Sequence, residues 1–299
     1  SDTSSVLLNG SGSFDLAGFS ETIDGLAGAG TVTTSGVSTF TIGGNNSAGL
    51  SPYTPAAAAA GVNATGLNFF SGTLSNGTGT LSLTKTGSGT QIIAAAQAYS
   101  GATTISAGTL QLGIDNALPS GAGTAVITIA GNNKGTNVGA VTTNGSDKVF
   151  APGTLDIGGY NQAINGLDST TGGFVTNNPT LAYDGSTWSV AAGRQGTKTL
   201  TLGNSSAQNP NFSGVIQDGF TVQPGVTATG FVGAINLVKT GTNTQTMSGQ
   251  STYSGTTVIQ EGVIIAAGGT NRLPSTTAVS LGNVGASGLL QLGDGTGAI

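Results

Sequence analysis

The sequence predicts an all-β fold, a parallel β-helix in which short strands stack coil upon coil into a solenoid. Three observations predict it. Small and β-branched polar residues dominate the 299-residue chain, with Gly 53, Thr 46 and Ser 30. Short stretches of alternating apolar and polar residues recur between turn residues, and no stretch makes a convincing amphipathic helix. Long blocks of sequence recur in the same order far along the chain.

The strands follow in order. Thr39–Ile42 (TFTI), Thr80–Thr84 (TLSLT), Thr109–Leu112 (TLQL), Ala125–Ile129 (AVITI), Thr154–Ile157 (TLDI), Thr199–Leu202 (TLTL) and Leu289–Leu292 (LLQL) all alternate with period two. Gly, Asn, Asp or Ser bounds each of them and supplies turns at little conformational cost. Thr is β-branched and suits the wet face of a strand. Glu, Lys and Arg are scarce and Gly recurs too often for three helical turns.

Composition removes much chemistry. The chain has no His and no Cys, so triads, imidazole bases, thiol nucleophiles, zinc knuckles and disulfides are excluded. Charged residues are 6% of the chain and the net charge is −5, which argues against nucleic acid as a partner. Disorder is not expected, because 36% of residues are apolar and the net charge is small. No segment approaches the ~20 apolar residues of a membrane-spanning helix. Ala56–Ala60 lies between Pro55 and Gly61 and reads as a loop, and Ser1 opens no signal peptide.

The internal repeat is long. FDLAGFSETIDGL (14–26) returns as LDIGGYNQAINGL (155–167), and Leu83–Gly113 returns as Leu237–Ala267. Asn68-Phe69-Phe70-Ser71-Gly72 answers Asn211-Phe212-Ser213-Gly214, and Leu118-Pro119-Ser120 answers Leu273-Pro274-Ser275. Leu290-Gln291-Leu292-Gly293 opens a third copy on the pattern of Leu155-Asp156-Ile157-Gly158. The expectation is one solenoid over 1–299, with a first unit at 14–154, a second at 155–289 and the start of a third at 290–299. Three strands and three short turns make a coil of about 23 residues. That gives about 13 coils, six or seven to a unit, in a rod of roughly 60 Å.

The blocks LTKTGSGTQ…AYSGATTISAGTLQLG (83–113) and LVKTGTNTQ…TYSGTTVIQEGVIIAA (237–267) resemble the passenger-associated transport repeat, also called the autotransporter-associated β-strand repeat. Leu83, Lys85, Thr86, Gly87, Gly89, Thr90, Tyr99, Gly101, Thr103, Ile105, Gly108 and Leu110 carry the first match. Leu237, Lys239, Thr240, Gly241, Thr244, Tyr253, Gly255, Thr257, Ile259 and Gly262 carry the second. It departs at Asn243, where Gly is usual, and at Val263-Ile264, where Thr-Leu is usual. The resemblance implies a right-handed β-helix outside a Gram-negative-type cell, with repeats that aid passenger transport and folding and do not catalyse. The family's C-terminal membrane barrel has no counterpart before Ile299.

No catalytic, metal or cofactor site is expected. Asp15, Glu21 and Asp24 form the densest acidic cluster, but their counterparts are Asp156, Gln162 and Asn165, so they read as turn formers. Lys85 and Lys239 are equivalent, and a Lys bonding carbonyl oxygens at a coil corner is the simpler reading than a ligand site. Lys134, Lys148, Arg194, Lys198 and Arg272 are scattered. Gly293-x-Gly295-x-x-Ala298 mimics a dinucleotide motif with no helix after it. Sequons at Asn45, Asn63, Asn76, Asn144, Asn204 and Asn211 mark at most exposed loops. Tyr53, Phe69, Phe70, Trp188 and Phe220 either project from loops to bind sugars or proteins, or pack over the coils.

These readings point to a non-enzymatic extracellular spacer or fibre, on or released from the cell surface. The chain starts and stops inside a unit, so it is expected to be a window on a longer protein or a subunit that stacks end to end or laterally on copies of itself. The alternatives are an adhesin for glycan or cell-surface ligands and a polysaccharide-active β-helix enzyme.

Overall fold

The structure is a computed structural model that describes residues 4–43, 69–131, 152–169, 171–179, 181–183, 188–190, 194–203, 208–220 and 232–293. No described residue is helical. Glycine and Asx residues interrupt the chain every few positions, and apart from two hairpins the short strands lie parallel on those of the neighbouring coil.

Three ladders result. The first face holds β1 (Val6–Leu8), β4 (Leu26–Gly28), β7 (Phe69–Phe70), β10 (Thr90–Ile93), β12 (Thr109–Leu112), β14 (Thr154–Asp156), β17 (Phe174–Thr176) and β22 (Val215–Ile216). The second face holds β2 (Ser13–Asp15), β5 (Thr31–Thr33) and β8 (Thr73–Leu74), and later β15 (Gln162–Ile164), β20 (Lys198–Leu202), β25 (Ile235–Lys239), β27 (Thr257–Ile259) and β29 (Val279–Leu281). Backbone bonds from Ala98 N–H to Leu74 O, Gln97 N–H to Ala117 O and Asn116 N–H to Asn161 O carry that face across its middle. The third face holds β3 (Glu21–Ile23), β6 (Val37–Ile42), β9 (Thr80–Lys85), β11 (Thr103–Ile105), β13 (Ile127–Ile129) and β16 (Leu167–Asp168). The Ser169–Phe212 bridge extends it to β21 (Asn211–Phe212), β26 (Thr244–Met247), β28 (Gly262–Ala266) and β30 (Gly288–Leu292).

Two antiparallel hairpins leave the corner between the first and second faces in consecutive coils. They are β18 (Leu181–Tyr183) with β19 (Trp188–Val190), and β23 (Gly219–Phe220) with β24 (Val232–Gly233).

The core is a narrow column because period-two alternation sends every second side chain inward. On the third face, register stacks Ile23, Ile42, Lys85, Ile105 and Ile129, all buried. Beside them run Phe40, Leu83, Thr103, Ile127 and Leu167. Each fully buried aliphatic or Phe side chain contributes about 1.5–3 kcal/mol of transfer free energy.

Among the described residues the third-face ladder has six strands and then four, ten coils. At ~4.8 Å per coil the stack is about 45 Å long. The expected 13 coils and 60 Å exceed what the described residues hold, because some coils are far longer than 23 residues: register runs 43 residues from Ile42 to Lys85 and 40 from Thr128 to Asp168, against 19 from Ile23 to Ile42. Ile42 ends β6 and Phe69 begins β7 in the next coil, and the hairpins lengthen two later coils.

The repeat also does not close on whole turns. The first unit begins at β2 on the second face, the second at β14 on the first face, and the Leu290 block lies in β30 on the third face. Each step covers four coils and two further faces, not six or seven coils. The same step carries β9 on the third face to β25 on the second.

Candidate functional site

The two sequence blocks fold alike. In the first, β9 pairs with β11 and β10 with β12; in the second, β25 pairs with β27 and β26 with β28. The most unusual chemistry in each lies at the end of its first strand. Leu81, Leu83 and Lys85 alternate inward along β9, and Leu237 and Lys239 do so along β25. Strand parity drives each lysine into the apolar column. Lys85 sits between Ile42 and Ile105, and Lys239 between Leu202 and Ile259.

The ammonium groups end in cages of oxygen at the corner. Lys85 Nζ donates to Thr86 O, Gly87 O at 3.1 Å and, one coil on, Ala107 O at 3.4 Å. Lys239 Nζ donates to Thr240 O, Gly241 O at 2.7 Å, Asn243 Oδ1 at 2.8 Å and Glu261 O at 3.4 Å. Burial pulls both ammonium groups down to about 8, against the opposing charges of Asp24 and Glu261 respectively. Without the oxygen cages, burying these charges would cost several kcal/mol each, on the order set by desolvation.

Glycine closes the corner. Gly108 and Gly262 have φ of 64° and 75°, and a Cβ on either would stand 2.3 Å from the carbonyl oxygen of Gly87 or Gly241 in the preceding coil. Asn243, which departs from the repeat pattern, adds an oxygen to the second cage, and its Nδ2 donates to Gln208 O at 3.2 Å.

Sequence reasoning placed a lysine with carbonyls at the corner and missed the polar groups behind it. The Tyr99 hydroxyl pairs with Thr103 Oγ1 at 2.7 Å and Tyr253 with Thr257 Oγ1 at 2.6 Å, inside the column. Burial raises both phenols, that of Tyr253 to about 12. Gln91 brackets Leu26, accepting from its N–H at 3.2 Å and donating to its O at 2.9 Å; Gln245 brackets Leu167 at 3.0 and 2.9 Å. The available signal was parity: both glutamines stand at inward positions of their strands.

Among the described residues the other candidates do not converge. Asp15 Oδ1 accepts from Ala17 N–H, and Asp156 Oδ1 from Gly158 N–H, the same Asx turn in both units. Asp156 is buried and accepts from Gln111 and Asn178 as well; burial raises its pKa, opposed by those bonds. Among the described residues no group of three or more Asp or Glu could hold a metal. Arg194 lies 3.8 Å over the Tyr160 ring, and Arg272 reaches Gly268 O. Asn76 is engaged by Leu81, Ser100 N–H and Ser100 Oγ, and Asn211 by Ser248. Phe70 is buried in the column and Phe69 is half-buried. Trp188 and Phe220 lie on the hairpin strands. Tyr53, Lys134, Lys148, Ala56–Ala60, Gly295, Ala298, Asn45, Asn63, Asn144 and Asn204 lie outside the described residues.

Residues 83–112 and 237–266 match the sequence family described as the passenger-associated-transport-repeat. The chain carries two passenger-associated-transport repeats. They cover about a fifth of it, and the lysine cage, the Tyr–Thr pair and the Gly corner all fall inside them. The match agrees with an autotransporter passenger segment, and the family is described by transport, not by a reaction. No curated protein and no solved structure matches the chain. No described helix is long and apolar enough to cross a membrane.

Proposed function

We propose that the chain is a non-enzymatic segment of an autotransporter-like passenger, a stiff spacer or fibre carried on or released from the surface of a Gram-negative-type cell. The observation that supports this most is the ladder of ten described coils on the third face, in which each strand is hydrogen-bonded to the next over a buried column of mostly apolar side chains. Such a stack resists bending, and its length grows by adding units. The two repeats lock successive coils at their corners. On this reading 1–299 is one solenoid of tandem units, and its partners are further coils of the same kind.

Small-angle scattering and electron microscopy of the purified chain test the reading. An elongated particle with a stack of at least about 45 Å supports it; compact separate lobes would refute it. Cleavage of a polyuronic or neutral glycan would instead make it an enzyme. An adhesin is a second reading, supported by the β18–β19 hairpin, whose register sets Trp188 opposite Tyr183. Glycan binding lost on Trp188→Ala, with the fold kept, would favour it.

A further inference from the structure

One row of outward residues on the third face is the same residue in five consecutive coils. Register places Thr22 beside Thr41, Thr41 beside Thr84, Thr84 beside Thr104 and Thr104 beside Thr128. The row ends at Asp168. All five threonines are half-exposed. None of their hydroxyls bonds to another described residue of the protein. Thr39 and Ser82, also in register and half-exposed, begin a second row beside the first.

Strand propensity does not account for the row. The second unit has the corresponding positions on the second face, where register gives Ala163, Thr201, Val238, Val258 and Ser280. Valine serves an outward strand position as well as threonine does. The first unit therefore carries a hydroxyl-and-methyl array that the second lacks, although both are built on the same coil.

The array has a fixed period. Parallel stacking holds the threonines about 4.8 Å apart on a backbone that cannot slip without turning the core outward. Each hydroxyl can donate to and accept from water, while its methyl group restricts the water beside it. A rigid row of such pairs orders water along a line with the row's own period. The five threonines carry no charge to attract an ion and no aromatic ring on which a sugar could stack. What complements an uncharged, regularly spaced set of donors and acceptors is a surface whose own donors and acceptors repeat.

We infer that the Thr22–Thr41–Thr84–Thr104–Thr128 row is a binding face for crystalline water, so that the chain adsorbs to ice. The test uses the full chain and single ice crystals grown slowly in its presence. Adsorption produces faceted crystals and a gap between melting and freezing points. The double variant Thr84→Lys/Thr104→Lys, which plants two long charged side chains mid-row, loses both effects. Val238→Lys, at the corresponding place of the second unit, keeps them. Thr104→Leu serves if the double variant does not fold by circular dichroism, and it too weakens faceting. Round, unshaped crystals with the folded native chain would overturn the inference. So would full activity in a folded row variant. Binding to insoluble crystalline polysaccharide without any effect on ice would overturn it as well, and would assign the face to a glycan.

Discussion

Lys85 and Lys239 occupy the same corner of the repeat, yet they end strands on different faces of the stack, β9 on the third and β25 on the second. Each is buried, each is held by oxygens of its own corner and of the following coil, and neither cage depends on which face carries it. The cage is thus a local device for fastening one coil to the next.

Replacing a caged lysine by methionine keeps its volume and strands the oxygens. Lys239→Met, which strands four acceptors, is expected to lower stability by about 2–3 kcal/mol, and Lys85→Met by somewhat less. Urea denaturation checks this: the midpoint should fall with the slope unchanged.

Stability should rise with alkali before it falls. The lysines lie at about 8 in the fold and at 10.5 when free, so between those values the unfolded chain binds more protons and stability climbs with pH. The phenols of Tyr99 and Tyr253 are raised above their free value of 10.0, so above about pH 10 the unfolded chain loses protons that the fold retains, and stability drops. Melting temperatures from pH 7 to 11 should pass through a maximum near pH 10. The double variant Lys85→Met/Lys239→Met should lose the rising limb alone.

Glycine should be interchangeable with alanine in one direction only. Gly108→Ala or Gly262→Ala adds a methyl group against a carbonyl oxygen at positive φ, and should cost more than about 2 kcal/mol. Ala17, exposed with φ 52°, stands where the second unit has Gly158, φ 62°. Ala17→Gly should be neutral or stabilise by up to about 1 kcal/mol, since relief of strain offsets the added freedom of the unfolded chain. Thermal midpoints of the three variants give the signs.

The Tyr99–Thr103 pair should behave as a unit. Tyr99→Phe leaves a buried threonine hydroxyl unpartnered and should cost about 1–2 kcal/mol. Adding Thr103→Val should recover part of that loss, giving a coupling of about 1 kcal/mol in a double-mutant cycle. Additive losses would show that the hydroxyls act independently.

The alternation in TLSLT, TLQL and TLTL was enough to place these strands, and with the long repeats it pointed to the stacked architecture, because side-chain parity in a strand is a property of a few neighbouring residues. The repeat signature likewise marked Lys85, Gly108 and Tyr99. Local pattern could not give the number of coils, since that depends on how many residues separate one strand from the next, as from Ile42 to Phe69. Nor could it give the face on which a unit begins, because that phase accumulates over every corner in between. The oxygen cages and the threonine row needed the stack itself: Ala107 joins Lys85, and Thr22 comes within reach of Thr41 and Thr41 of Thr84, only when coils distant in sequence lie one upon another.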